Sequence, residues 1–120
     1  MKVAFIAHPI AGDDPHENVY RVMDIVRRIN ITEPDTVPLA AYCIDVLALD
    51  DNNAYERARG MKNGQYILSH FPIDELRLYG NTISNGMRAE IEIAHKRGIP
   101  VVPMTDETKM KYQLIKRNKG

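Results

Sequence analysis

The chain has no tryptophan, one cysteine, two phenylalanines and no excess charge of either sign. Each scarcity closes off a class of protein. A lone cysteine, Cys43, rules out an internal disulfide and fits a reducing cytoplasm. Sixteen basic residues balance sixteen acidic ones, so no global field draws in nucleic acid or an anionic membrane surface. The apolar opening Val3 to Ala7 is far too short for a signal h-region or a membrane span. His8, His16, His70 and His95 stand at no metal-ligand spacing, and neither a metal nor a cofactor is expected. GxGxxG and GxxxxGK(S/T) are both absent, which removes the standard dinucleotide and triphosphate loops. Ser84 lacks the GxSxG setting of a nucleophile elbow. What remains is 120 residues, 44% hydrophobic and 27% charged, without repeat, low-complexity tract or linker. That composition describes one globular domain over residues 1–120, with a single core.

Lys2 to Ala7, KVAFIA, is a near-continuous apolar run, as in a parallel strand covered on both faces. His8-Pro9 ends it. Asp14, Pro15 and Glu17 then predict the N-cap, first turn and capping box of a helix reaching about Asn30, with Val19, Val22, Met23, Val26 and Ile29 inward. Thr36 to Tyr42 reads as a second strand, placed at an edge by Pro38. The stretch CIDVLALDDN reads equally as an irregular connection or a short helix. A further helix is expected over Ala54 to His70. Its stripe would be Ala54, Ala58, Met61 and Leu68, with Gly60 and Gly64 allowing close approach to the sheet. Then come a strand at Glu75–Tyr79, a polar loop at Gly80–Gly86, a helix from about Met87 to Lys96 stopped by Gly98, and a strand at Ile99–Val102. A last helix, capped by Thr105, carries Met110, Leu114 and Ile115.

Four strands alternating with helices predict an α/β fold with a mostly parallel sheet. The expected architecture is a flavodoxin-like three-layer open sheet of strand order 2-1-3-4, with a fifth strand left open. Strands one and three are then neighbours. The loops that follow them, 8–13 and 80–86, face each other across one crevice at the carboxyl end of the sheet.

Helical phase picks out one side chain at that crevice. Met87, Ile91, Ala94 and Gly98 form a core-facing stripe; at roughly 100° per residue Glu90 lies roughly 60° from its centre and Glu92 roughly 140°. Glu90 is therefore a first-turn carboxylate at the border of the buried face, where the helix dipole favours its charged form. A charged, partly desolvated carboxylate there can serve as a nucleophile. A first-turn glutamate is also common for dipole reasons alone, and Ser84 reads equally as a helix cap or as an anion contact.

The segment SNGMRAEIEIAHKRGIPVV resembles the signature of the nucleoside 2-deoxyribosyltransferase superfamily, which includes 2'-deoxynucleoside 5'-phosphate N-glycosidases. The likeness rests on Ser84, Gly86, Glu90, Ala94, Gly98, Pro100 and Val101, and on FIAHPI, similar to that superfamily's first strand and loop. It is nearest to small bacterial and phage proteins carrying DELxLxGxxISxGMxxEI. The resemblance implies transfer or cleavage at the N-glycosidic bond of a deoxynucleoside or its monophosphate. Glu90 would attack the anomeric carbon and form a glycosyl-enzyme intermediate. Ser84 and the backbone at Asn85, Gly86 and Met87 would hold a 5'-hydroxyl or 5'-phosphate. His8, Ile10 and Gly12 belong to the corresponding first loop, Phe5 takes the place of a first-strand tyrosine, and Asp74 matches the aspartate that opens the third strand. The resemblance also implies a homo-oligomer whose copies complete each other's sites. A second reading stays open. Phe5 brings no hydroxyl, and a protein on the same fold can bind a nucleotide, sensing or sequestering it, without catalysis.

Overall fold

The computed structural model describes residues 1–10 and 14–119; the expectation for Gly12 lies outside the described residues. Four strands, β1 (Lys2–Ala7), β2 (Thr36–Leu39), β3 (Glu75–Leu78) and β4 (Val101–Pro103), form one sheet in the order β2-β1-β3-β4. Every pairing is parallel. The fold is the flavodoxin-like α/β arrangement, and no fifth strand occurs among the described residues. The helices are α1 (Pro15–Thr32), α2 (Ala41–Ala48), α3 (Ala54–His70), α4 (Asn85–Arg97) and α5 (Asp106–Lys119). Among the described residues no helix is long and apolar enough to cross a membrane.

Strand alternation divides the core in two. Ala4 and Ile6 point to one face, where they pack with Val19, Val22 and Ile29 of α1 and Cys43 of α2. Phe5 and Ala7, with Leu76 and Leu78 of β3, point to the other, against Leu68 of α3, Met87, Ile91 and Ala94 of α4, and Tyr112 of α5. Each fully buried side chain of this size contributes about 1.5–3 kcal/mol. Helix α2 feeds both clusters, Ala41 into one and Cys43 into the other. Met23, expected inward on α1, is 41% exposed.

Two expectations are corrected. The second strand ends at Leu39, and Ala41 and Tyr42 open α2 instead of extending it. Pro38 pairs with Ala4 at the sheet edge, where its missing N–H costs nothing. The alanines after it favour helix, and Cys43 N–H closes the first turn on Ala40 O at 3.2 Å. On α3 the expected stripe holds only at Leu68: Ala54, Ala58 and Met61 are exposed, and Gly64 is buried with Leu68. This helix approaches α2 closely at Gly60, where an added β-carbon would lie 3.2 Å from Asp45 Cβ. Arg97 of α4 closes its far end, donating to Leu68 O at 2.8 Å and Phe71 O at 2.7 Å.

A buried cation sits mid-sheet. Arg77, 3% exposed, donates to both carboxylate oxygens of Glu33 at 2.7 and 2.9 Å and also to Glu75. Hydrogen bonds from Arg77 hold Glu33 below the usual carboxylate range. Burial pushes Glu75 the other way, but Arg77 and Lys2 together outweigh it and its pKa is lowered.

Candidate functional site

Both crevice loops are fixed by backbone chemistry. Gly80, two residues past β3, has φ +90, and a β-carbon there would meet Pro9 Cδ at 2.6 Å. The β1 and β3 loops thus touch at a point only glycine can occupy. Asn18 of α1 donates to Ile10 O at 2.9 Å and ties down the first loop. Thr105 donates to Gly80 O at 2.8 Å and ties down the second. Ser84 caps α4, accepting from Met87 N–H at 3.2 Å. Gly98, at φ 70, ends that helix.

Above these loops lies a cavity of about 350 Å³, within the range of small-molecule sites. His8 and Ile10 line it from β1, and Ser84, Asn85, Gly86, Met87 and Glu90 from α4. So the structure brings together seven of the residues singled out from the sequence. It moves two others out. Phe5 is fully buried in the core facing α3 and α4, because its place in the β1 alternation points it to mid-sheet. Asp74 lies at the amino end of β3, opposite the cavity, where it accepts from Val3 N–H at 2.6 Å.

The remaining wall is one that sequence reasoning missed. Tyr42, Asp45, Val46 and Leu49 of α2 and Arg57, Gly60, Gly64 and Gln65 of α3 face the same space. Gly60 and Gly64, expected to let α3 approach the sheet, line this cavity instead; Gly60 comes close to α2, and a β-carbon added to Gly64 meets nothing within 4 Å. Tyr42 carried no signal, since its segment read as a strand.

Electrostatics follow from this enclosure. Glu90 keeps part of its surface on the cavity, yet its carboxyl is desolvated, and burial raises its pKa to about 8. The expectation of a charged first-turn carboxylate is therefore corrected: α4 starts at Asn85, which puts Glu90 past the first turn where the dipole acts, and burial leaves it mainly neutral at pH 7. Burial also pushes the Tyr42 phenol well above its ordinary value, with Cys43 and Glu90 adding to the rise. Among the described residues the Tyr42 hydroxyl has no hydrogen-bond partner. His8 is lowered by burial, opposed by its bond to the Pro9 carbonyl. A carbonyl only accepts, so His8 Nδ1 donates to Pro9 O at 2.7 Å and Nε2 is left as an acceptor. Arg57 makes no ion pair among the described residues. Nor, among them, do three His, Cys, Asp or Glu side chains gather as metal ligands would. The arrangement offers a titratable carboxyl, a phenol and an imidazole acceptor beside a helix N-terminus with unpaired amides.

Residues 2–104 match the domain of unknown function DUF7768. The chain belongs to that family. The matched span contains all four strands and every cavity residue named above. No curated protein and no solved structure matches the chain.

Proposed function

We propose that this DUF7768 protein acts on the N-glycosidic bond of a deoxynucleoside or its 5'-monophosphate, with Glu90 as nucleophile. One observation supports this above the others: a single desolvated carboxyl, Glu90, lies in a nucleoside-sized cavity one turn from the N-terminus of α4. The reading also draws on the resemblance of residues 84–101 to nucleoside 2-deoxyribosyltransferases. In the first step the ionised carboxylate attacks the anomeric carbon. The carbon–nitrogen bond breaks, and the base leaves with the bonding pair and takes a proton from solvent. In the second step water, or a second base, displaces Glu90 and regenerates it. With a pKa of about 8, roughly one-tenth of Glu90 is ionised at pH 7. The α4 N-terminus would receive a 5'-phosphate.

Incubation with the four common 2'-deoxynucleosides and their 5'-monophosphates, followed by chromatography, tests the proposal. Free base is expected from at least one. Release from none defeats it. The reading carries a homo-oligomer with it; a monomer by light scattering at high concentration counts against that part.

A second reading has its own support. Phe5 offers the cavity no hydroxyl, and Glu90 is mainly neutral. A nucleotide-binding protein without catalysis fits both facts. It predicts calorimetric binding of the same compounds with no base released.

A further inference from the structure

Tyr42 is the second residue of α2, which starts immediately beyond the carboxyl end of edge strand β2. That placement makes it line the same cavity as Glu90. Its hydroxyl is buried and, among the described residues, has no hydrogen-bond partner. An unsatisfied buried hydroxyl is costly, and phenylalanine would fill the same space without that cost. Glu90 is near enough to act on the phenol electrostatically, but no hydrogen bond joins them. A polar group arriving between the two would satisfy both.

We propose that Tyr42 is a ligand-binding residue, its hydroxyl and the Glu90 carboxyl together gripping a neutral, hydroxyl-bearing ring of the pentose class. Each of the two groups donates and accepts in its uncharged form, which matches alcohol oxygens on a sugar. An anion does not fit there, because Asp45, Asp51 and Glu56 line the α2–α3 side of the cavity. A phosphate would go instead to the far end, at Ser84 and Gly86 on the N-terminus of α4. The choice of a pentose rests on the proposed function; the role of the hydroxyl rests only on the cavity being a ligand site.

Tyr42→Phe removes the hydroxyl and nothing else. Wild type and variant are compared by thermal unfolding without ligand, then by calorimetric titration with 2'-deoxynucleosides and with the corresponding free bases. The variant should melt at the same temperature or higher. It should bind deoxynucleosides roughly tenfold more weakly, with free-base binding unchanged. Equal deoxynucleoside affinity overturns the inference, and is also the result expected if the hydroxyl meets only a buried water. A variant that fails to fold, or melts lower, overturns it too, by showing that the hydroxyl holds the protein together. Wild type that binds no pentose-bearing probe overturns the pentose assignment. Binding without base release defeats the cleavage reading and leaves this one standing, whereas cleavage with equal affinities does the reverse.

Discussion

A β-carbon on Gly80 would stand 2.6 Å from Cδ of Pro9. The φ of +90 at Gly80 lies where side chains are strained even in open space. The contact locks the end of β3 against the end of β1, and His8 leads directly into it. The junction of the two crevice loops therefore depends on one missing side chain.

Gly80→Ala should consequently destabilise the protein by about 1–3 kcal/mol, from backbone strain and displacement of Pro9. Urea unfolding should show a lower midpoint with an unchanged slope. An unchanged midpoint would mean that the two loops separate without cost.

Stability should respond to pH through two opposed sets of groups. Glu33 and Glu75 have lowered folded pKa values, so the stability they add through Arg77 is present above the ordinary carboxylate range and fades as acid is added. Glu90 has a raised folded pKa. Its contribution is complete below its unfolded value and is lost as pH climbs towards about 8. Across that window folding takes up at most one proton at this site, so stability falls by no more than about 1.4 kcal/mol per pH unit. His8, lowered by burial, works the other way, adding stability above its unfolded value and losing it as pH falls. The acids Asp45, Asp51 and Glu56 and the base Arg57 share the cavity, but remain in both members of the comparison. Glu90→Gln should remove the decline between about pH 5 and 8 and leave the acid limb intact. Parallel pH profiles for wild type and variant would contradict the raised pKa.

The features legible in the sequence were those with local causes. Asp14 and Ser84 as caps, Gly98 as a stop and the apolar run of β1 each carry their own signal, and together they fix the strand order through standard connections. The Glu90 phase followed from helix geometry alone. Its protonation did not, because the walls that desolvate it come from α2 and α3, distant in sequence. Tyr42 was lost when TVPLAAY was read as one strand. No proline or glycine marks the change after Leu39, and alanine's helix preference was the only cue. On α3 the apolar stripe was right only at Leu68, because the helix meets α2 through Gly60, a residue without a side chain to read.

Gly64 offers a separation of stability from binding. It is buried on α3 and lines the cavity, yet a β-carbon added there would meet nothing within 4 Å. Gly64→Ala should gain up to about 1 kcal/mol from helix propensity alone. The same methyl group intrudes on the cavity. Unfolding should shift to higher temperature while affinity for the best-bound deoxynucleoside drops. A variant that is stabilised and binds as well as wild type would show that the ligand does not reach this wall.

The nucleophile assignment turns on Glu90→Gln. The amide keeps the volume and much of the hydrogen bonding of the acid but cannot form the attacking oxyanion. On any deoxynucleoside that wild type cleaves, turnover should fall by several orders of magnitude with little change in binding. Glu92→Gln, on the exposed side of α4 and outside the cavity, should stay near wild type. The wild-type rate should also rise with pH and level off above about 8, since only the ionised carboxylate attacks. A rate that falls through the same range would make Glu90 a proton donor instead. Equal turnover by wild type and Glu90→Gln would remove it from the chemistry and leave the cavity as a binding site only.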